Sequence, residues 1–510
     1  MDRRAMVGLV GNIVVLIVAG LAHAVAVANP WDGQPVWWLQ VLALALLVWR
    51  LHRATSWRTA AMRGGLFATA WLAGAWWWLF TSMHTYGGLA APIAAMAVLA
   101  LAAFLALYYA AASAIFWRLH QAHPTAAPLF FATSWTLAEL ARVSWFTGFP
   151  WAAGGYAHVD GPLAALAPWV GVHGIGWVAA WLAATLLQIR IRPAGSMLGL
   201  VVMGGIVGAA AISGPWSGGT DTFSVTLLQG NIAQDEKFQS GTGVPLALRW
   251  YGQQLQAART DLVVAPETAI PLLPQQLPEG YWADLRAHFS EGPTAALVGV
   301  PLGNFQNGYT NSVLGLQPGQ ALSTAPYRFD KHHLVPFGEF IPPMFRWFTD
   351  MMNIPLGDFN RGALGQPVFT WRGQRFAPHI CYEDLFGEEL AVQFLDSSQA
   401  PTVLVNISNI AWFGDSLAID QHLQISRMRA MEFERPLLRA TNTGATVIID
   451  HRGAVAKALP RLTQGVLVGV VEGRQGTTPY AWWVSRLGLW PLWGLGIAVL
   501  CFGSLRRRAT

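Results

Sequence analysis

Charge is the scarcest ingredient of this chain. Asp, Glu, Lys and Arg together make up 12% of its 510 residues, about half the share of an ordinary soluble protein. With 54% apolar residues, that excludes a disordered or fully solvated chain. Cysteine is nearly absent as well: there are two, Cys381 and Cys501. The second lies inside an apolar run, which rules out a disulfide framework and a Cys-based metal site. The net charge of +5 is not matched by any soluble stretch in which basic and aromatic residues interleave. A nucleic-acid surface is therefore disfavoured.

What the chain does have is apolar runs. They lie near 7 to 27, 36 to 49, 64 to 82, 89 to 116, 126 to 143, 162 to 189, 195 to 213 and 483 to 504, each near the ~20 residues a bilayer requires. The reading is a multi-pass α-helical membrane domain of eight transmembrane helices, seven in 1–215 and the eighth in 483–510 with a basic tail. Arg3, Arg4, Arg50, Arg53, Arg58, Arg63, Arg118, Arg190, Arg192 and Arg506 to Arg508 all fall on one side of eight spans. By the positive-inside rule that side is the cytoplasm, so both termini are expected there and the 220–475 segment outside. A cleaved signal peptide is the competing reading of the N-terminus, but its apolar core is long and further spans follow at once. Glu139 and Arg142, three apart in the fifth run, are costly in a bilayer unless paired. They read as a helix–helix staple, as a snorkelling interface pair or as a lipid headgroup site.

Between 220 and 475 the pattern changes to short apolar strands, among them VTLLQGN, DLVVAPE, AALVGVPLG, RFAPHI and TVLVNISN, alternating with amphipathic stretches such as LALRWYGQQLQAART. This is a layered α/β domain. An aperiodic insertion near 337–362 holds Phe345, Trp347, Phe348 and Met351 and reads either as a local core or, favoured by the tether on both sides, as an apolar lid that touches the membrane.

Cys381 sits where the strand RFAPHI breaks into YEDLFGEEL, a strand-to-helix corner with acids in the first helical turn. A thiol there has backbone N–H groups beside it and is tunable towards thiolate. A buried structural cysteine is the plain alternative. A free thiol in an exported domain, where pairing is favoured, argues for reactivity instead. Glu267 closes the strand DLVVAPE and Lys331 follows YRFD. Both stand at strand ends, where α/β sheets place their sites.

The order Glu, Lys, Cys within PETAIP, YRFDKHHLVPFGEF and HICYEDLFGEEL resembles the nitrilase superfamily of carbon–nitrogen hydrolases. The apolar spans, together with GFPW, NISNIAWFG and QHLQISRMRAMEFERPLLRATNTG, are similar to its membrane-embedded branch, the apolipoprotein N-acyltransferase family. The resemblance implies an α-β-β-α sandwich carrying a periplasmic active site in a bacterial inner membrane. It also implies transfer of an acyl chain from a phospholipid, through a thioester on Cys381, to the α-amino group of the S-diacylglyceryl cysteine of an apolipoprotein. Glu267 carries over as base, Lys331 as oxyanion-stabilising cation and Cys381 as nucleophile, with Glu339, Tyr382 and Glu383 in support. Phe238, Trp412 and the lid aromatics are candidate lipid contacts. The donor implied is phosphatidylethanolamine, the protein a monomer, and no cofactor or metal is called for. The chain departs from the family pattern at Ala265, Phe238 and Ile410.

Two rivals stand beside this reading: a membrane-tethered amidase or nitrilase acting with water, and a transporter with an outer binding domain. His379, two residues before Cys381 on the same strand face, raises a Cys–His pair. His332 and His333 raise a metal pair, without a third ligand in view.

Overall fold

The computed structural model describes residues 3–342 and 358–509. The chain divides into two compact units, one of Met1–Phe80, Ala90–Gly214 and Leu487–Thr510, the other of Thr81–Leu89 and Pro215–Arg486.

The first unit is helical, and a helix occupies each of the eight apolar runs: Arg3–Val25, Trp37–His52, Trp57–Ala75, Ala91–Ala122, Ala127–Ser144, Ala167–Gln188, Pro193–Ile212 and Trp490–Ala509. Three spans, Ala91–Ala122, Pro162–Gln188 and Pro193–Ile212, are long and apolar enough to cross a bilayer. A fourth joins them if Pro479–Leu487 and Trp490–Leu505 count as one bent span. The others fall short for legible reasons. Trp37–His52 has 16 residues, about 24 Å of helix, while Trp57–Ala75 carries Arg58 and Arg63 and Ala127–Ser144 carries Glu139 and Arg142. Small residues let these helices touch backbone to backbone. A Cβ on Gly20 would stand 2.4 Å from the Phe67 carbonyl oxygen, and one on Gly64 would stand 3.0 Å from the Tyr109 carbonyl oxygen.

The second unit holds two six-stranded sheets. In chain order the strands are β1 (Ser217–Gln229), β2 (Leu262–Val264), β3 (Ala295–Asn304), β4 (Gly308–Leu316), β5 (Tyr327–Asp330), β6 (Phe369–Trp371), β7 (Gln374–Ile380), β8 (Val403–Ser408), β9 (Leu437–Thr441), β10 (Val447–Ile449), β11 (Val455–Ala458) and β12 (Gly465–Gly476). The sheets run β12-β1-β2-β3-β4-β5 and β11-β10-β9-β8-β7-β6. Each is parallel at its centre, β1-β2-β3 and β7-β8-β9, with antiparallel strands outside. The period-two alternation of the strands builds the layers. Val225, Leu227, Leu262 and Val264 meet Ile380, Val403, Val405 and Ile407 between the sheets. Leu228, Val263, Ala296 and Val298 face the other way, onto Tyr251 and Leu255 of helix Gly243–Ala257 and Phe289 of helix Tyr281–Glu291. Helix Leu417–Phe433, capped by Ser416 and almost wholly buried, lies on the other side, where its Ser426 and His422 bond Arg439 of β9. The result is an α-β-β-α sandwich. Segment Thr81–Leu89 belongs to this unit, with Tyr86 edge-on to Trp412, ring centroids 6.0 Å apart.

Candidate active site

Cys381 follows the last residue of β7 and opens a 3-10 turn, Cys381–Leu385. The acidic first turn predicts a longer helix, and the structure corrects this. Glu383 caps only this short turn, taking the Ile380 N–H at 2.6 Å on one oxygen, and spends the other on the N–H groups of His332 (2.7 Å) and His333 (3.2 Å). Asp384 points the opposite way and accepts from His379 Nε2 at 2.7 Å, Arg439 Nη1 at 3.4 Å and Ser426 Oγ. Between these anchors Cys381 is held at φ +52°, a left-handed conformation costly for a non-glycine residue. Asn406 Nδ2 secures its carbonyl at 3.3 Å. A strained conformation kept by its surroundings marks Cys381, half-buried at this corner, as a candidate reactive residue.

Glu267 lies three residues beyond β2 and is 7% exposed. One carboxylate oxygen accepts from Asn311 Nδ2 at 2.7 Å and stands 3.4 Å from Lys331 Nζ. The other accepts the Asn409 N–H at 2.8 Å. Lys331, directly after β5, is 1% exposed and donates to Glu339 Oε1 at 2.9 Å. That same Glu339 oxygen accepts from Asn311 Nδ2 at 2.8 Å, and its second oxygen accepts the Val335 N–H at 2.9 Å. One asparagine on β4 thus bridges two carboxylates that share one ammonium.

The charges act on one another. Burial works against an ammonium at Lys331, but Glu339 and Glu267 outweigh it and raise its pKa, so it stays a cation across the working range. Cys381 keeps some solvent contact, yet the protein packed around its sulfur, and then the charge on Glu267, push the thiol up to about 12 from 9.0, against the pull of Lys331. A thiol in that state needs a base to become a nucleophile. Burial also raises the pKa of Glu383, against its backbone donors and Lys331.

The structure therefore brings Glu267, Lys331 and Glu339 into hydrogen-bonded contact and sets Cys381 within their electrostatic reach. Tyr382 is buried beside Cys381 and packs edge-on against Phe386. The Cys–His alternative fails, because His379 is buried, gives Nε2 to Asp384 and directs Nδ1 at the Ala377 carbonyl. His332 Nδ1 bonds the Gly362 carbonyl and His333 Nδ1 bonds Glu389. Among the described residues no group of three or more His, Cys, Asp or Glu side chains could hold a metal ion. Phe238 is half-buried, and its ring centroid lies 5.8 Å from Lys237 Nζ. Phe345, Trp347, Phe348 and Met351 lie outside the described residues.

Glu139 and Arg142 belong to the helical unit and are buried. Glu139 accepts from His173 Nδ1 at 2.8 Å and the Gly154 N–H at 3.0 Å. Arg142 donates to the carbonyls of Phe149 (2.6 Å) and Trp151 (2.8 Å) and to the Tyr109 hydroxyl. Both tie the loop 149–154 to the helices, which is the geometry of a staple.

Two residues of the site carry no mark in the sequence. Asn311 reads as an ordinary strand polar residue, and Lys237 in NIAQDEKF reads as a surface cation. Lys237 is fully buried and donates to the Glu267 carbonyl at 3.0 Å and to Thr268 Oγ1 at 2.6 Å.

Comparison with known proteins agrees with this geometry. Residues 19–185 match the apolipoprotein N-acyltransferase N-terminal domain family, and residues 224–479 match the carbon-nitrogen hydrolase family. The chain is 59% identical to apolipoprotein N-acyltransferase of Verminephrobacter eiseniae, over 93% of this chain and 92% of that one. It is 44% identical to the protein of that name from Ralstonia nicotianae, over 96% and 92%, and 41% identical to that of Bordetella bronchiseptica, over 92% of each. With identity of this level running through both units, the chain belongs to the apolipoprotein N-acyltransferase family and carries the carbon–nitrogen hydrolase fold in its second unit.

Proposed function

We propose that this protein moves an acyl chain from a membrane phospholipid to Cys381 and then to the α-amino group of the S-diacylglyceryl cysteine of an apolipoprotein, completing lipoprotein maturation. The observation that carries the reading is the buried Glu267–Asn311–Glu339–Lys331 cluster acting on a thiol that is protonated at rest. Glu267 takes the proton from Cys381, and the thiolate attacks the ester carbonyl. Negative charge then grows on the carbonyl oxygen, where Lys331 and the Tyr382 N–H stabilise it. Collapse breaks the carbon–oxygen ester bond, and the proton on Glu267 passes to the departing lysophospholipid alkoxide. The thioester left on Cys381 is attacked by the amine. Glu267 accepts the amine proton, the carbon–sulfur bond breaks, and the proton returns to sulfur.

In this reading Glu339 keeps Lys331 charged and in place, and Glu383 and Tyr382 shape the corner. Phe238, Trp412 and the insertion 337–362 serve the lipid side as contacts and lid. The donor is a phospholipid, with phosphatidylethanolamine the first choice, and the protein acts as a monomer. The eight helices span the inner membrane of a bacterium. Arginines lie on the cytoplasmic side with both termini, and the sandwich 220–475 lies on the periplasmic side. The experiment is an assay of purified protein with defined phospholipid and a diacylated lipopeptide. A hydroxylamine-sensitive acyl adduct is expected on the wild type and not on Cys381→Ala, with turnover of the variant lower by about 10³-fold or more. Undiminished turnover in Cys381→Ala would end this reading.

A further inference from the structure

Glu267 does not continue β2. After Val264 the chain turns through Pro266 and Thr268, with the Ala269 N–H on the Pro266 carbonyl at 3.1 Å and the Ile270 N–H on the Gly299 carbonyl at 3.2 Å. Thr268 sits at φ +48°, a conformation that a β-branched side chain resists. Something must hold it there. On one side the turn rests against β3 so closely that a Cβ on Gly299 would lie 2.2 Å from the Pro266 oxygen and 2.8 Å from both Glu267 Cα and Thr268 N. On the other side stands Lys237, fully buried, with one N–H on the Glu267 carbonyl and one on the Thr268 hydroxyl. Lys237 is itself placed by a tight approach: a Cβ on Gly243 would lie 2.0 Å from the Glu236 oxygen and 2.9 Å from Lys237 N.

A buried lysine is an expensive way to make two hydrogen bonds. Burial pushes its ammonium down to about 7, against the pull of Glu267 and Cys381. A residue that served packing alone would be better as methionine or leucine.

We propose that Lys237 is a positioning residue for the base. By pinning both the carbonyl of Glu267 and the hydroxyl of the left-handed Thr268, it fixes the turn that aims the Glu267 carboxylate into the cradle of Asn311, Asn409 and Lys331. It acts through Glu267 and touches no reacting atom. The inference rests on the reading of Glu267 as the base.

The test compares Lys237→Met, Thr268→Val, Glu267→Gln and the double variant Lys237→Met/Thr268→Gly in the full-length protein. It follows acyl-enzyme formation from phospholipid, steady-state transfer to lipopeptide, and thermal unfolding. A misaimed base costs rate rather than binding, so Lys237→Met is expected to lower kcat by about 100-fold while KM for phospholipid stays within about threefold. Glycine in place of Thr268 removes the cost of the left-handed turn and should restore roughly tenfold of that loss. A general weakening of the fold would instead lower the unfolding temperature in step with the rate, whereas a misaimed base lowers kcat at temperatures where the variant is still folded. Thr268→Val keeps the shape and removes one of the two acceptors. It should lower kcat by a few-fold at unchanged KM, and it decides the matter if Lys237→Met fails to fold. Wild-type kcat in Lys237→Met, or in Thr268→Val when the former does not fold, overturns the proposal. So does a loss that Thr268→Gly leaves unrelieved. Full acylation by Glu267→Gln would instead overturn the reading of Glu267 as base. Loss in Glu267→Gln with none in Lys237→Met leaves that reading standing and removes only the positioning role.

Discussion

At the scale of single residues, the decisive fact is that the thiol of Cys381 is held protonated by its own site. Burial and Glu267 raise it to about 12 while Lys331 opposes them, so the resting enzyme should be slow towards thiol reagents. Alkylation of Cys381 by iodoacetamide, followed by mass spectrometry, should accelerate steadily between pH 8 and pH 11 without levelling off, as a thiolate titrating near 12 requires. Removing the opposing cation with Lys331→Met should slow alkylation further and lower turnover by about 10²- to 10³-fold. The same shift has a stability consequence. Between 9.0 and about 12 the folded state retains a proton that the unfolded chain has released, so the stability from this group is complete below 9 and falls as pH rises through that window. Thermal unfolding from pH 8 to pH 11 should therefore decline more steeply for the wild type than for Cys381→Ser, which lacks the titrating group.

At the scale of elements, the site is made by strand ends facing one another across a sandwich, and the joints between elements are where function is most exposed to change. Asn311 on β4 donates to Glu267 and Glu339 at once. Asn311→Leu should leave both carboxylates short of a donor, lowering kcat by about 10- to 100-fold and stability by roughly 1–3 kcal/mol, readable in steady-state rates and in thermal unfolding. In the helical unit, Arg142 holds three oxygens, two of them the carbonyls of Phe149 and Trp151. Arg142→Met should lower the unfolding temperature in detergent as those acceptors lose their donor. The corner at Cys381 shows how an element is overruled locally. Its sequence has the acids of a helix start, but the carboxylates are spent on the Ile380, His332 and His333 N–H groups and on the His379–Arg439 cluster. What forms is a strained 3-10 turn, Cys381–Leu385, followed by two four-residue helical turns, Gly387–Leu390 and Ala391–Phe394.

At the scale of the whole molecule, a catalytic sandwich is embedded in a chain that is otherwise apolar helix. Topology is the property to measure. In a Cys381→Ser, Cys501→Ser background, a cysteine in place of the exposed Arg461, in the second unit, should react with a membrane-impermeant maleimide added to intact spheroplasts. One in place of the exposed Thr55, among the arginines between the second and third helices, should react only after the membrane is opened. Labelling in the reverse order would reject the orientation that the arginines imply.

Much of this architecture was legible in the chain itself. The apolar runs became helices because a helix satisfies its backbone groups within its own segment and leaves the apolar side chains outside, and the alternating strands became two sheets because period-two patterning leaves each with a buried face. Glu267, Lys331 and Cys381 stood out because each follows closely on a strand, in an order that resembles the carbon–nitrogen hydrolases. Asn311 and Lys237 did not, since an asparagine in a strand and a lysine in a polar loop look the same whether they face solvent or the buried turn at Glu267. Only the passage of the Glu267 turn over β3 to reach Asn311 on β4, and of the loop before helix Gly243–Ala257 over that turn, turned them inward. Residue type and spacing determined which groups could react. Tertiary structure decided their charge states and aim, because burial and hydrogen bonding act through contacts between residues that are far apart in the chain.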